Sequence, residues 1–327
     1  MIRIGVVGAG GMAGQRCRVF KGMESARVAA VCARSREKAE SLAGPAGAKA
    51  FDDFERMLAE VDAAVICLPN VVHADFARKA LRADKHVLVE YPLCVSMGEA
   101  ESLRALARES GRVLTTGNTI IHEAMFAYLR ERRERLGKIL SAASRVAFYG
   151  EGIAGRWYMS EANTGPVFAA FHYHHIEYYR NFLGEVEWVL ARDESRRNAT
   201  RPGYSTAAGG TLVMGHASGA TSCVQWYLNA EGKGLPRGLW MNGTRSSVTI
   251  VSREPERSLA VWDNGGEGKE DVFDDEWGVP GSCRDFLEAI EGRMDHRARL
   301  DWDLRTLRVG VLAADSARRG EVVPLGS

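Results

Sequence analysis

The chain has 327 residues, 46% hydrophobic and 26% charged, which is the composition of a folded globular protein and not of a disordered or fibrous one. Lys+Arg 43 against Asp+Glu 42 leaves a formal charge of +1, so nucleic acid and anionic membrane are set aside as partners. Apolar stretches such as Val61–Leu68 fall far short of the roughly 18 residues a membrane span needs. The six scattered cysteines (Cys17, Cys32, Cys67, Cys94, Cys223, Cys283) form no C-x-x-C pair and suit a reduced, cytoplasmic protein.

In chain order, Ile2–Val7 predicts a strand that begins the fold, and a glycine-rich turn then leads into a helix to about Met23. Arg27–Cys32 predicts a second strand, and Arg36–Ala43 and Phe51–Ala59 predict helices. Val61–Leu68 reads as a buried strand, Ala74–Ala83 as a helix, His86–Glu90 as a strand, Met97–Ser110 as a helix and Val113–Thr116 as a strand. Short apolar strands alternating with amphipathic helices predict an α/β fold, a doubly wound parallel sheet of Rossmann type. From about residue 138 the pattern changes. Ile139–Phe148, Val186–Arg192, Gly210–Met214, Thr221–Leu228, Leu239–Asn242, Val248–Val251 and Leu259–Trp262 predict seven strands, interrupted by one helix around Phe168–Leu183. Helices over Cys283–Glu291 and Asp301–Arg318 close the chain. The expected division is residues 1–120, a dinucleotide-binding domain, and 121–327, an α+β substrate and oligomerisation domain with a large, open-faced, mainly antiparallel sheet. The closing helices are free to pack back on the first domain.

Gly8-Ala9-Gly10-Gly11-Met12-Ala13 fits G-x-G-x-x-G/A between a strand and a helix. Gly8 permits a tight turn, Gly10 lets the backbone approach a pyrophosphate, and small Ala13 allows close helix–strand packing. The rival reading is an ordinary glycine-rich turn, which its place in a βαβ pattern makes the weaker one. At the end of the second strand, Ala33-Arg34-Ser35-Arg36 lacks the carboxylate that usually accepts hydrogen bonds from the NAD ribose. Arginines there pair well with a 2′-phosphate, so NADP(H) is favoured over NAD(H). The plainer alternative is that both arginines are solvated charges at a helix start.

Cys67-Leu68-Pro69-Asn70-Val71-Val72-His73 resembles the T-P-N-x-x-H segment of the Gfo/Idh/MocA oxidoreductases, the family of glucose–fructose oxidoreductase and inositol dehydrogenase. Lys85-His86-Val87-Leu88-Val89-Glu90-Tyr91-Pro92 is similar to its G-K-H-V-x-x-E-K-P segment. Gly243-Thr244-Arg245-Ser246-Ser247 resembles its G-T-K-G-S turn, and Gly165–Gly184 matches the spacing of its second-domain histidine helix. The resemblance covers essentially the whole chain. It implies a Rossmann domain, an open-faced sheet that assembles homo-oligomers, and a small-molecule substrate facing the nicotinamide. It also implies cofactor contacts from Gly8, Gly10, Gly11, Met12, Ala13, Ala33, Arg34, Ser35, Arg36, Leu68, Pro69, Asn70, His73, Glu90 and Tyr91.

The departures shape the functional expectation. The family lysine maps onto Tyr91 and its catalytic aspartate onto Ala170, while its histidine maps onto His174. A neutral phenol is a proton donor at pH 7, so reduction is easier to support than oxidation. Tyr91 would protonate an oxygen or nitrogen as hydride arrives, with His174 as helper or alternative donor; the rival is an aromatic that only packs beneath the nicotinamide. Glu90-Tyr91-Pro92 also resembles the tripeptide of the biliverdin reductases. His172, Tyr178, Asn118 and Trp157 are expected around the substrate, Trp157 in a loop before the histidine helix. His172/His175 and His174/Glu177 share faces at i,i+3, short of the about three ligands of a catalytic zinc, so no metal site is assigned. Ile120 and Ile121 replace the arginine that often follows the family's G-x-N segment and make the substrate mouth apolar. The expected activity is an NADPH-dependent reduction of a sugar-like or polyol-derived ketone. The alternatives are a bilin or imine reductase and a non-catalytic NADP-binding sensor.

Overall fold

The computed structural model describes residues 1–149, 156–194, 199–201, 204–205, 207–229, 238–254, 257–263, 269–274 and 278–326. The chain divides into two compact units, residues 1–119 with 279–305 and residues 120–278 with 306–327.

The first unit runs β1 (Ile2–Val7), α1 (Gly11–Lys21), β2 (Ala26–Cys32), α2 (Arg36–Ala46), β3 (Lys49–Phe51), α3 (Phe54–Leu58), β4 (Ala63–Ile66), α4 (His73–Arg82), β5 (His86–Val89), α5 (Met97–Ser110) and β6 (Leu114–Thr116). All strand pairs are parallel, in the order β3-β2-β1-β4-β5-β6. The order reverses between β1 and β4, and in an open parallel sheet ligands bind beyond the strand ends at such a switch point. The helix expected over 51–59 is present as the shorter α3, and the strand β3 that precedes it was not expected. Asp53 stops the strand because its Oδ1 accepts from Arg56 N at 2.8 Å and caps α3. A three-residue strand is too short to carry a period of its own.

α11 (Val279–Ile290) returns to this unit and sets Val279, Cys283, Phe286 and Leu287 into one core with Val6, Ala13, Phe20 and Val65. The amphipathic pattern of this helix left it free to pack back on the first domain, without naming the residues it meets. Near the start of α12 (His296–Arg319), buried Asp303 accepts from Thr116 Oγ1 at 2.5 Å and from Arg299 Nη2 at 2.7 Å, which ties the end of β6 to that helix.

Placed in chain order before α11, the second unit contains α6 (Ala124–Glu131), α7 (Arg133–Leu136), β7 (Ile139–Tyr149), α8 (Glu161–Thr164), α9 (Val167–Phe171), α10 (Tyr173–Leu183), β8 (Val186–Asp193), β9 (Ala199–Arg201), β10 (Tyr204–Ser205), β11 (Ala207–His216), β12 (Thr221–Asn229), β13 (Gly238–Gly243), β14 (Ser247–Glu254), β15 (Arg257–Asp263) and β16 (Lys269–Asp274). β17 (Val323–Pro324) follows α12. Among the described residues the large sheet has the order β16-β15-β14-β13-β7-β12-β11-β8-β17. Every pair in it is antiparallel except β7 with β12. β16 and β17 were not expected: β16 is charged at four of six positions and β17 has two residues.

Alternation along the strands buries Leu212, Met214, Val224, Trp226 and Met241 and leaves Thr211, Val213, Cys223 and Gln225 partly or fully exposed. Trp188 and Trp240 are half-buried, each laid where the Cβ of a glycine would be: Trp188 over Gly215 and Trp240 over Gly238. The helix expected as one element over 168–183 is two, α9 and α10, with His172 between them.

Candidate functional site

The ends of β1 and β4 meet at Gly8. Its φ is +122° and a Cβ there would lie 2.2 Å from the carbonyl oxygen of Cys67, so only glycine fits. Gly10 and Gly11 differ: a Cβ on either would face open space. Gly10 precedes α1 without a side-chain cap, and the first turn of α1 carries no acidic residue. The N–H groups of an uncapped first turn are open to an anion, and the helix dipole adds to their attraction. This cradle fits the pyrophosphate of a dinucleotide, with Gly10, Gly11, Met12 and Ala13 as its holders.

Beyond β2, Arg34 is exposed and its guanidinium is uncommitted among the described residues. Its neighbours are engaged otherwise than expected. Ser35 Oγ accepts from Lys38 N at 3.4 Å and caps α2, and exposed Arg36 pairs with Glu40 at 3.1 Å one turn on. Of the expected 2′-phosphate contacts, Arg34 is therefore the group at hand. Ala33 is buried, its N–H bonded to Phe51 O at 3.1 Å.

His73, expected beside the cofactor, is fully buried with both ring nitrogens at 2.8 Å from backbone carbonyls, Nδ1 from Pro92 O and Nε2 from Leu68 O. Its ring braces two loops, and no ring nitrogen is left for a ligand. Burial pulls its pKa below the usual value, while the two carbonyls and Glu90 pull it back up. Asn70 is buried in a short 3₁₀ turn, and Leu68 and Pro69 lie between the bonded carbonyls of this loop and that turn.

Glu90 also departs from expectation. Its Oε1 accepts from Arg16 Nε at 2.7 Å, so the carboxylate is committed inside the protein instead of facing a cofactor. Arg16 went unnoticed in the sequence because it follows the glycine motif as an ordinary helical arginine. It is fully buried, donating from Nη2 to Gly117 O at 3.2 Å and from Nη1 to Ser282 Oγ at 2.6 Å. Tyr91 directly follows this pair and is half-buried, so its ring is neither in the core nor fully in solvent. Asn118, next to Gly117, is buried.

In the second unit two expected substrate contacts belong to the core. His172 is fully buried, its Nε2 donates to Gly210 O at 3.1 Å, and its ring packs on Phe168 at 4.7 Å. Burial pushes its pKa down to about 4. Tyr178 is 2% exposed, with Phe126 edge-on at 5.5 Å and Phe182 at 4.9 Å. Glu177 is likewise internal, accepting from Thr306 Oγ1 at 2.6 Å beside the buried Arg180. What remains of the histidine helix is His174 and His175, both half-buried, the latter with Nδ1 3.1 Å from Ser144 Oγ. Desolvation, with a smaller push from His175, drives His174 down to about 3, so its imidazole is neutral at physiological pH. Trp157 is 44% exposed, its ring edge-on to Tyr158 at 5.7 Å. Among the described residues no three His, Cys, Asp or Glu side chains gather as a metal would need. No described helix is long and apolar enough to cross a membrane.

Residues 2–118 match the family model described as an oxidoreductase family with an NAD-binding Rossmann fold. The dTDP-3,4-didehydro-2,6-dideoxy-alpha-D-glucose 3-reductase of Streptomyces violaceoruber is 36% identical over 133 residues, 40% of this chain and 39% of that protein. The match thus spans about two fifths of that curated relative. Biliverdin reductase from Synechocystis sp. PCC 6803, solved with biliverdin and NADP+, shares the fold with a TM-score of 0.87 at 21% identity, over 97% of this chain and 99% of that one. GenD2 from gentamicin A biosynthesis, solved with NAD, has a TM-score of 0.83 at 25% identity, over 100% and 97%. The sheet topology, the glycine turn at the switch point and these matches agree for residues 2–118: this part of the chain is similar to the NAD-binding Rossmann domain of the Gfo/Idh/MocA oxidoreductases.

Proposed function

We propose that this protein is an NADPH-dependent reductase that uses Tyr91 to protonate the carbonyl oxygen of a sugar-like or polyol-derived ketone. The observation that carries the reading is the contrast between the two candidate proton donors. Tyr91 carries a phenol, half-buried at the carboxyl end of β5, whereas His174 is held neutral by desolvation. A neutral imidazole has no readily released proton, so the donor role falls to the phenol.

The uncapped first turn of α1 would hold the pyrophosphate and Arg34 would pair with the 2′-phosphate; when bound, the reduced nicotinamide would supply a hydride for the carbonyl carbon. Tyr91 Oη gives its proton to the oxygen, and the resulting tyrosinate recovers one from solvent, to which the half-buried residue has access. Asn118 remains the group of the first unit for substrate contact. The open face of the large sheet, with Val213, Cys223, Trp188 and Trp240 only partly covered, supports assembly with a second copy of the chain.

A second reading is a bilin reductase. It is favoured by Tyr91 in place of a lysine and by the uncharged pair Ile120 and Ile121. Both readings are tested by following NADPH absorbance with a panel of keto-sugars and, in parallel, biliverdin. Turnover of a keto-sugar supports the first, turnover of biliverdin alone replaces it with the second, and tight NADPH binding without turnover in any well favours a sensor. With the active substrate, Tyr91→Phe is expected to lower kcat about 100-fold or more, the usual scale of general acid catalysis. An unchanged kcat would remove Tyr91 from the mechanism.

A further inference from the structure

Arg16 is three residues past the cofactor-binding turn of α1, and its partner Glu90 is the residue immediately before Tyr91. Its side chain is fully buried and that of Glu90 is 10% exposed. A buried charge pair tends to be favourable only when the remaining donors and lone pairs are also satisfied, and here the satisfaction is extensive. Arg16 Nε donates to Glu90 Oε1 at 2.7 Å, Nη2 to Gly117 O at 3.2 Å, and Nη1 to Ser282 Oγ at 2.6 Å with Cys283 Sγ at 3.2 Å. Ser282 Oγ donates in turn to Val279 O at 3.0 Å, which leaves its lone pair for the guanidinium. The planar fork therefore joins four segments: α1, the end of β5, the end of β6 and α11.

The packing explains Gly117. A Cβ at that position would lie 2.5 Å from Arg16 Nη2 and 2.8 Å from Glu90 Oε2, so the pair and the glycine require each other. On the other flank of Tyr91, His73 Nδ1 is 2.8 Å from Pro92 O. Tyr91 thus has a buried polar anchor on the residue before it and another on the residue after it. The backbone at 90 is further held by Glu90 N donating to Ile66 O at 2.9 Å.

We propose that Arg16 is a positioning residue. Through Glu90 it sets the place of Tyr91 relative to the first turn of α1, so that proton donor and dinucleotide are aligned by one buried ion pair. The inference rests on the proposed role of Tyr91, and it extends that role to a residue that touches neither the cofactor nor the substrate. The geometry demands a fork: a lysine reaches Glu90 with one ammonium but cannot bridge Gly117 and Ser282 in the same plane.

The test needs no substrate. The protein is prepared with 3-fluorotyrosine, and the resonance of Tyr91 among the nine tyrosines is assigned by its loss in Tyr91→Phe. The fluorine spectrum is then recorded with and without NADP+. In the wild type the Tyr91 resonance is expected to shift on adding NADP+. In Arg16→Met and Glu90→Gln, NADP+ affinity is expected to stay within about threefold, under roughly 0.7 kcal/mol, while the Tyr91 resonance broadens or splits and loses its single shifted position. Arg16→Lys is expected to restore part of that shift. If Arg16→Met does not fold, Glu90→Gln, which keeps the shape of the side chain, carries the test. A wild-type resonance indifferent to NADP+ would overturn the role of Tyr91 itself. A wild-type shift reproduced unchanged in folded Arg16→Met or in Glu90→Gln would overturn only the positioning role.

Discussion

The surroundings of Tyr91 and those of His174 bury their polar groups in opposite ways. In the first, Arg16 and Glu90 are buried as charges and pair with each other, and Arg16 also finds hydroxyl and carbonyl partners. In the second, His172 and His174 are desolvated, and pKa values pushed down to about 4 and about 3 make them neutral. The comparison teaches where a proton is available. A paired charge fixes geometry, and a desolvated histidine gives up its acid function. In the proposed reaction the half-buried phenol between the anchored residues Glu90 and Pro92 is the group that delivers the proton.

Breaking the charged side of this contrast gives the largest expected effect. Arg16→Met leaves the Glu90 carboxylate buried and unpaired, which costs about 3–5 kcal/mol in comparable sites. Urea unfolding at pH 7 measures it, and a loss below about 1 kcal/mol would mean that Glu90 finds water or another partner. Gly117→Ala sharpens the same point, because the new methyl enters the space of the ion pair; a destabilisation of about 1–3 kcal/mol is expected.

The desolvated side responds to pH. His172 has its folded pKa depressed below the ordinary 6.5, so its stabilising contribution is present above about pH 6.5 and is lost as pH falls toward about 4. Within that window each pH unit removes up to about 1.4 kcal/mol per such histidine. Unfolding midpoints measured at pH 7 and pH 5 should therefore fall, and the fall should be smaller in His172→Asn. An equal fall in both would show that His172 is not the residue whose protonation drives the loss. The smallest effect concerns the cofactor. Arg34→Ala is expected to weaken NADPH about tenfold, near 1.4 kcal/mol, with NADH little changed. Equal weakening of both, measured by nicotinamide fluorescence, would argue against a contact to the 2′-phosphate.

The glycine turn was legible because each of its residues answers a local demand: Gly8 a positive φ, Gly10 and Gly11 an unobstructed approach. The alternation of strands and helices was legible for the same reason, since periodicity is a local property. The roles of His172 and Tyr178 were not. Both lie in the register of a histidine helix resembling that of the family, but the chain bends at His172 and turns it to Gly210 O, while Tyr178 meets Phe126. A shared helix face says which residues are neighbours, not whether that face meets solvent or a sheet.

The sequence by itself determined the element types of the first unit apart from β3, the dinucleotide-binding turn and the substitution of a phenol for the family lysine. These depend on backbone conformation, hydrophobic period and side-chain identity, which neighbouring residues carry. Only the tertiary structure decided that Glu90 belongs to Arg16, that Ser282 and Gly117 complete the pair, and that His73 spends both ring nitrogens on carbonyls. Those partners lie as far as 266 positions apart in the chain. Burial removes the competition of water and makes such distant contacts decisive, and burial is a property of the assembled core that no local pattern encodes.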